Sequence, residues 1–415
     1  MHKKEMKHEP SKESEHKRLD HGMHTGFDDG FEPLVSLDLE KCKDVDELTQ
    51  AMANTAFGGR CLGEAVDVFY AAITDPDCFV VMSLSGAMTP AKMGLLICDM
   101  IDLGMIHALV STGALMTHGF VEAQGMSHFK YKPGQMDDNE LYEKGYDRIY
   151  DVLELEKNLD DTELIFREIM KPVNADEIQC SHKILRECGR WLATNTKGRG
   201  ILKSAFVNNV PVYVPAFTDC EMGLDFGILN RRRRVTDQKP FTFNPFFDLD
   251  HFAEFMRQQK DTGIFTIGGG VPRNWAQQVA PYLDIMHKRL ENECPACHGK
   301  GCAKCENRGY LSESAQGARR YKYAVRICPE PVHWGGLSGC TYSEGVTWGK
   351  FVPLNEGGKW SEVPVDATVA WPLILKAVIE RLKKNNKLSI LKEKQKRMQA
   401  CLKKADDVVQ TMYSA

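Results

Sequence analysis

The sequence predicts an α/β protein with a Rossmann-like, doubly wound and mostly parallel sheet that has helices on both faces. Short apolar segments with strand character alternate with amphipathic helical segments between residues 78 and 327. Several of the apolar segments end in turns of small residues. The chain has 415 residues, of which 43% are hydrophobic, and it is therefore long enough to bury a large core.

The clearest local pattern is a βαβ unit near the N-terminal end of this region. The apolar runs 78–84 and 106–110 predict two buried strands, and each ends in a turn of small residues, 85–89 and 111–114. Thr89 is expected to cap the intervening helix. The ends of neighbouring parallel strands meet at one edge of a sheet, where backbone N–H groups can approach phosphates. Such turns are common to many α/β proteins, so alone they do not define a function.

The same pattern recurs further along the chain. Residues 210–217, 263–267 and 321–327 predict three more strands, and the second ends in the glycine run 268–270. Without a complete G-x-G-x-x-G motif, that run is either a tight turn or a surface for a dinucleotide. The basic run 231–234 is expected to be a solvated loop, with a contact to another subunit or an acidic partner as the alternative.

Composition excludes several classes of protein. The net charge of −4 gives no global basic field for nucleic acid. Apolar stretches are too short to span a bilayer, and the N-terminus lacks the apolar block of a signal peptide, so a cytoplasmic protein is expected. We divide the chain into a flexible, charged segment over residues 1–30, a catalytic domain over 31–385, and a basic C-terminal helix over 386–415.

Four cysteines are clustered in an apparent insertion at about residues 291–315. Cys294, Cys297, Cys302 and Cys305 form two C-x-x-C knuckles. Paired knuckles of this kind suit tetrahedral zinc and predict a structural zinc ion. The spacing between the knuckles is short, so His298 could replace one cysteine. The alternative is a loop of free thiols.

One lysine near the C-terminus has the sequence context of a reactive amine. Lys350 follows Glu344 and Trp348, and these residues lie behind the Gly-rich loop 334–339. An aromatic wall that excludes water disfavours the ammonium form and leaves the nitrogen lone pair free for imine chemistry. The alternative is a solvated lysine after a turn, which is the commonest environment of lysine.

Six motifs together extend this interpretation. They are SGAMT (85–89), STGALMTHGF (111–120), PAFTD (215–219), GGGVP (268–272), LSGCTYSEGVTWGK (337–350) and PVDATVAWPLI (364–374). With them the chain resembles the deoxyhypusine synthase family, and most closely its bacterial and archaeal deoxyhypusine synthase-like proteins. The resemblance covers about residues 35–385, without the cysteine insertion.

The resemblance implies a Rossmann-like fold and an NAD-dependent aminobutyl transferase. In this family NAD takes a hydride from a polyamine such as spermidine, and a lysine imine carries the aminobutyl group to an acceptor amine. The acceptor is a protein lysine or a small amine that gives a homospermidine-type product. The family also implies a homotetramer with active sites shared between two subunits.

The resemblance assigns roles to individual residues. Lys350 is the expected nucleophile. Substrate contacts are expected from Glu344, Trp348, Ser338, Gly339, Asn274, Asp225 and His118. NAD contacts are expected from Ser85, Gly86, Ala87, Met88, Thr89, Thr112, Gly113, Ala114, Asp219, Gly269, Asp366 and Ala367.

The chain departs from the family pattern at its amine-binding positions. Asn274 replaces a histidine, Leu337 replaces an acidic residue, and Thr117-His118 replaces a pair of glutamates. An expected aspartate falls at or beside Leu224, next to Asp225. Loss of carboxylates must change amine recognition. Two alternatives therefore remain: an NAD-linked transferase or lyase acting on a non-polyamine substrate, and a non-catalytic regulatory subunit.

Overall fold

The computed structural model of the chain describes residue 24 and residues 26–311 and 319–414. In this part of the chain nine strands form two sheets, one of six strands and one of three. The strands are β1 (Cys78–Leu84), β2 (Ala108–Ser111), β3 (Phe129–Lys130), β4 (Tyr146–Ile149), β5 (Val152–Leu155), β6 (Val212–Tyr213), β7 (Asp261–Ile267), β8 (Tyr323–Ile327) and β9 (Lys359–Val363).

Helices connect the strands and cover them. The α-helices are α1 (Val45–Ala53), α2 (Phe57–Thr74), α3 (Gly94–Asp102), α4 (Gly113–Ala123), α5 (Asp138–Glu143), α6 (Glu156–Met170), α7 (Ser181–Asn195), α8 (Ile201–Asn208), α9 (Glu221–Val235), α10 (Pro245–Arg257), α11 (Gly270–Met286), α12 (Tyr342–Thr347), α13 (Ala367–Lys384) and α14 (Leu388–Met412). Short 3₁₀ segments occupy Leu39–Lys41, Ala303–Cys305, Val332–Trp334, Leu337–Gly339 and Leu354–Glu356, and a π-helical segment, His287–Glu291, continues α11.

The large sheet has the doubly wound order that the sequence predicts. Its strands lie in the order β6-β2-β1-β7-β8-β9, and every neighbouring pair is parallel. Counted along the chain within this sheet, the order is 3-2-1-4-5-6, which is that of dinucleotide-binding folds. The direction of winding changes between β1 and β7, which pair in register from Cys78↔Asp261 to Leu84↔Ile267. The predicted fold class is therefore confirmed.

Alternate residues of β1 contribute to two separate hydrophobic cores. Val80 and Met82 pack into the core that α2, α3 and α13 cover. Phe79 and Val81 pack into the core that α10, α11 and α14 cover. A strand of a parallel sheet that is buried on both faces has a continuous run of apolar residues. This is why β1 could be recognised in the sequence.

Two local predictions were wrong, and one strand was missed. The helix after β1 begins at Gly94, and Thr89 is not its cap: its buried hydroxyl donates to the carbonyl of Leu115 instead. The basic run 231–234 is helical and forms the exposed last turn of α9, so it is not a loop. Strand β9 was not predicted, because its sequence KWSEV has little apolar content.

The two ends of the chain differ in what the structure describes. Residues 1–23, most of the segment expected to be flexible, lie outside the described residues. The basic C-terminal region forms α14, whose buried face includes Leu391, Lys394 and Leu402. None of the described helices combines the length and apolar character needed to cross a membrane.

Candidate active site

A cleft lies at the C-terminal edge of the large sheet, where the winding direction changes. Its volume is about 160 Å³, and it receives residues that follow β1, β2, β6, β7 and β8. The lining residues are Ser85, Ser111, Thr112, Gly113, Ala216, Asp219, Gly269, Gly270, Val271, Pro272 and Ser338. Ligands of open α/β sheets bind outside the carboxyl ends of the strands at this kind of switch point.

The loops after β1, β7 and β8 are packed against one another without spare room. The backbone N–H of Gly269 donates to the Ser85 hydroxyl at 2.8 Å. A Cβ atom on Gly269 would lie 2.3 Å from the Cα of Ser338. Gly268 has a φ of +70° and faces Ser85 in the same way. The glycine run therefore allows three loops to meet at the floor of the cleft.

The residues of the cleft fit a dinucleotide. Helices α4 and α11 both begin at glycines in its wall, so two helix N-termini with free N–H groups meet there. Such termini favour the negative charge of phosphates. Gly113 packs directly against Cys220, where a Cβ would lie 2.2 Å from the Cys220 sulfur, and the exposed carboxylate of Asp219 can accept hydrogen bonds from ribose hydroxyls.

Lys350 is mostly buried and is linked to this cleft through α11, whose residues Gly270, Val271 and Pro272 line the cleft. The residue is only 8% exposed, and its Nζ donates to Oδ1 of Asn274, in the first turns of α11, at 2.8 Å. Burial lowers the pKa of Lys350 from its usual value of 10.5. The charge of Arg273 lowers the pKa further, whereas Cys340 and Glu344 raise it.

The local sequence explains how Lys350 is held. Thr341 caps α12 by accepting a hydrogen bond from the N–H of Glu344, and α12 ends next to Gly349, whose φ is +70°. The N–H of Lys350 donates to the carbonyl of Gly345, and its carbonyl accepts from the N–H of Tyr321, just before β8. The backbone of the lysine is thereby fixed to the sheet.

The structure brings several predicted site residues together around this lysine. Trp348 places its ring centroid 5.9 Å from the Lys350 Nζ, and Glu344 acts on the lysine charge. Ser338 lines the cleft, while Gly339 is buried beneath the carbonyl of Pro331. The predicted cofactor residues Ser85, Thr112, Gly113, Asp219 and Gly269 also line the cleft.

The other residues that were predicted to contact the cofactor lie near the C-terminal edge of the large sheet or in the core. Gly86, Ala87 and Met88 continue the β1 loop from Ser85, and Ala114 lies in the first turn of α4. Asp366 caps α13 after β9 by accepting from the N–H of Thr368 at 2.8 Å, with Ala367 buried behind it. Thr89 is buried away from the cleft surface.

Two predicted substrate residues have other partners. His118 lies on the buried face of α4, where its Nδ1 is 3.2 Å from Oε2 of Glu154, and His128 contacts the same oxygen. Asp225 lies on α9, where burial and the carboxylates of Glu163 and Glu221 raise its pKa to about 6. Neither residue is among the groups whose charges act on Lys350.

Sequence reasoning missed two residues next to the lysine. Arg273 immediately precedes Asn274 on α11, and Cys340 lies in the loop before α12. Arg273 was overlooked because an arginine after GGGVP looks like a solvated residue at the start of a helix. Its complete burial depends on the loop after β8, which is distant in the sequence.

The four clustered cysteines converge as predicted. The Sγ–Sγ distances are 3.9 Å for Cys294–Cys302, 3.7 Å for Cys297–Cys305 and 3.8 Å for Cys302–Cys305. Zinc–sulfur bonds of about 2.3 Å in a tetrahedral site require sulfur atoms about 3.8 Å apart. His298 is exposed and lies outside this set. The cluster precedes β8, whereas the cleft follows the opposite ends of the strands, so it is not part of the candidate active site.

The fold and the cleft define a doubly wound α/β protein with a cleft at the switch point of its sheet and a buried lysine held by the helix that lines this cleft. A model of the deoxyhypusine synthase family matches residues 47–378. A probable deoxyhypusine synthase 2 from Methanosarcina acetivorans is 32% identical over 354 residues, which cover 84% of this chain and 90% of that relative. The chain belongs to the deoxyhypusine synthase family, which implies a transferase.

Other relatives agree with this assignment. A deoxyhypusine synthase-like protein from Elusimicrobium minutum is 28% identical over 347 residues, covering 83% of this chain and 82% of the relative. A crystal structure of a candidate deoxyhypusine synthase from Entamoeba histolytica matches with a TM-score of 0.51 and 13% identity. It covers 84% of this chain and 97% of that chain, and it supports the fold alone.

Proposed function

We propose that this protein is an NAD-dependent aminoalkyl transferase that acts on a polyamine or a related amine through an imine of Lys350. The observation that carries the proposal is the position of Lys350 Nζ, which is buried and hydrogen-bonded to Asn274, two residues along α11 from Pro272 in the lining of the cleft. A neutral amine in such a place is a nucleophile for imine chemistry.

The residues around the lysine suit the transfer step. NAD, when bound in the cleft, would accept a hydride from the donor amine and return it after transfer. The Nζ lone pair of Lys350 then attacks the donor's imine carbon. A new C–N bond forms, the bond to the departing amine breaks, and the proton from Nζ leaves with that amine. Asn274 orients Nζ, and the carboxylate of Glu344 can hold a cationic end of the substrate.

The surroundings of the site favour a small amine as the acceptor. Leu224 and Leu337, at or beside positions where the family pattern leads us to expect acidic residues, are 60% and 49% exposed. Glu344 is the one carboxylate whose charge acts on Lys350 among the described residues. A site with few carboxylates holds a multiply charged polyamine weakly. Because the same changes alter the pocket that protein-modifying members of the family use, we favour transfer to a small amine, with a homospermidine-type product, over transfer to a protein lysine.

Trapping of the imine tests this function. The protein is incubated with NAD and a panel of amines that includes spermidine and putrescine, reduced with borohydride, and weighed by intact-mass spectrometry. We expect a mass increase that requires both NAD and an amine, and that is lost in Lys350→Ala. If NAD binds but no amine of the panel gives an adduct, the result would contradict the proposed function. It would favour one of the two alternatives, a non-polyamine substrate or a regulatory subunit.

We also propose that the protein assembles as a homotetramer in which neighbouring subunits complete each other's sites. Four apolar side chains are exposed around the cleft and the lysine: Val271, Trp334, Leu337 and Trp348. Exposed apolar patches of this kind mark interaction surfaces. Light scattering coupled to size exclusion should give four times the chain mass, and Trp334→Glu should lower it. A monomeric wild-type protein would refute the proposal.

We propose a structural zinc ion at Cys294, Cys297, Cys302 and Cys305. Its support is the tetrahedral spacing of the sulfur atoms and two backbone donors, the N–H groups of Cys302 and Gly309, that point at the Cys305 sulfur. Metal analysis of the purified protein should give one zinc per chain, and Cys297→Ser should lose it. Cys401→Ser, outside the cluster, is the control. Zinc-free wild-type protein, or zinc kept in Cys297→Ser, would exclude the site.

A further inference from the structure

Two arginines hold loop 337–340, which contributes Ser338 to the cleft and Cys340 to the surroundings of Lys350. Arg273, on α11, donates to the carbonyls of Ser338 at 3.2 Å and Cys340 at 2.6 Å. Arg326, on β8, donates to the same two carbonyls at 2.6 and 2.9 Å. Both guanidinium groups are buried. The loop therefore rests on two cations that come from separate elements of the fold.

The two arginines differ in how their charges are balanced. Arg326 pairs with Glu362 at 2.9 Å, and the other oxygen of that carboxylate accepts from the N–H of Tyr342. Among the residues that the structure describes, no carboxylate pairs with Arg273. Its partners are neutral carbonyls and the ring of Tyr342. Burying an unpaired cation is costly, so such a charge is expected where it has a function.

The unpaired cation lies next to the candidate nucleophile. Arg273 directly precedes Asn274, whose side chain holds the lysine Nζ, and it binds the carbonyl of Cys340, whose thiol interacts with the lysine charge. The charged or titratable groups that act on Lys350 are Arg273, Cys340 and Glu344. Arg273 is the cation of that set, and a neighbouring cation disfavours the ammonium form of an amine.

We propose that Arg273 is a positioning residue: it fixes loop 337–340, which contributes Ser338 to the cleft and Cys340 to the surroundings of the lysine, and its unpaired charge favours the uncharged form of the Lys350 amine. This inference rests on the proposed role of Lys350 as the nucleophile. It assigns the two arginines different functions, although they share carbonyl partners. Arg326, neutralised by Glu362, supports the loop. Arg273 supports the loop and also tunes the lysine.

Lysine labelling as a function of pH distinguishes support of the loop from an effect on the Lys350 amine. It does not require enzyme turnover. Wild-type protein and variants are treated with a small aldehyde and cyanoborohydride between pH 6 and 11, and the Lys350 peptide is quantified by mass spectrometry. In Arg273→Gln we expect the midpoint of labelling to move up by about one pH unit, because a neighbouring cation is removed. At pH 8 this corresponds to a roughly tenfold slower reaction. Arg273→Lys keeps the charge and should restore the wild-type midpoint.

The matched control removes the other arginine together with its charge partner. The double substitution Arg326→Gln and Glu362→Gln loses the same carbonyl contacts without changing the net charge, so its midpoint should remain that of the wild type. Thermal unfolding shows which variants fold. An equal shift in Arg273→Gln and in the double variant, or no shift in Arg273→Gln and Arg273→Lys, would overturn the proposal. If the midpoints behave as expected and no amine adduct forms with NAD, the proposed transferase activity fails while this inference stands.

Discussion

Two lysines of this protein are almost equally buried, yet their surroundings differ in kind. Lys350 is 8% exposed and Lys394, on α14, is 3% exposed. Burial lowers the pKa of both, to about 8 for Lys394. Lys394 donates to three carbonyls, those of Ala72, Ile73 and Asp75 at the end of α2, at 2.9–3.1 Å. Lys350 donates to a single side chain, Asn274.

Burial alone does not make a lysine reactive, because the partners of the buried amine also matter. Three carbonyls use all the N–H groups of the Lys394 ammonium, and cations at the C-terminus of a helix are stabilised by its dipole. That lysine joins α14 to α2 and lies outside the residues that line the cleft. Lys350 has one acceptor, a neighbouring cation and a link to the cleft through α11. A low pKa becomes useful only where a substrate can reach the nitrogen.

The largest expected effect comes from removing the nucleophile. Lys350→Met should lower turnover by at least about 10³-fold, because no other amine can form the imine. The free energy of unfolding should change by less than about 1 kcal/mol, since the methionine stem fills the same space. Steady-state kinetics and urea unfolding measure the two quantities. Retention of even a tenth of the activity would show that the lysine is not the nucleophile.

Substitution of Lys394 is expected to lower stability and to leave activity almost unchanged, which is the opposite of the result expected for Lys350. Lys394→Met should lower the free energy of unfolding by about 2–4 kcal/mol, because three buried carbonyls lose their donor. Activity per folded molecule should stay within about twofold of wild type. Urea unfolding and active-site titration check this pair of outcomes. A stable protein with impaired turnover would reverse the roles that we assign.

A substitution at the single acceptor of Lys350 should shift the pH dependence of the reaction. Because the pKa of Lys350 is lowered from 10.5, imine formation should rise with pH and level off below that value. Asn274→Asp places a carboxylate against Nζ, which raises the pKa and moves the rise to higher pH, by about one unit or tenfold in rate at pH 8. Asn274→Gln, which stays neutral, should leave the midpoint in place. An unmoved profile in Asn274→Asp would mean that this contact is absent in solution.

The smallest effect concerns the floor of the cleft. Gly269→Ala would place a methyl group 2.3 Å from the Cα of Ser338, so the loop must move away. We expect NAD affinity, measured by calorimetry on the folded protein, to fall about tenfold, and the free energy of unfolding to fall by about 1–3 kcal/mol because the loop must move. Gly227→Ala, on an open face of α9, is the control and should not alter NAD binding. Equal affinities in all three proteins would show that the cleft is not the cofactor site.

The sequence predicted those features that depend on local patterns. Strand β1 was placed at its observed bounds because both faces of it are buried, which produces an unbroken apolar run. The cysteine cluster was recognised from its spacing alone. The reactive surroundings of Lys350 were inferred from the nearby tryptophan and from the family motif.

The features that the sequence did not predict depend on contacts between distant segments. The burial of Arg273 arises from carbonyls more than 60 residues away, at Leu337, Ser338 and Cys340. His118 lies shortly after the turn 111–114 in the sequence but faces Glu154 of the small sheet. Strand β9 has few apolar residues and is stabilised by pairing with β8. In each case tertiary contacts decide the outcome.

The most direct test compares the two lysines in one sample. Protein trapped with NAD, an amine donor and borohydride is digested, and the modified peptides are identified by mass spectrometry. We expect an aminoalkyl group on Lys350 and none on Lys394, although both amines have lowered pKa values. Label on Lys394, or equal label on both, would contradict the claim that access to the cleft, and not burial, makes Lys350 the nucleophile.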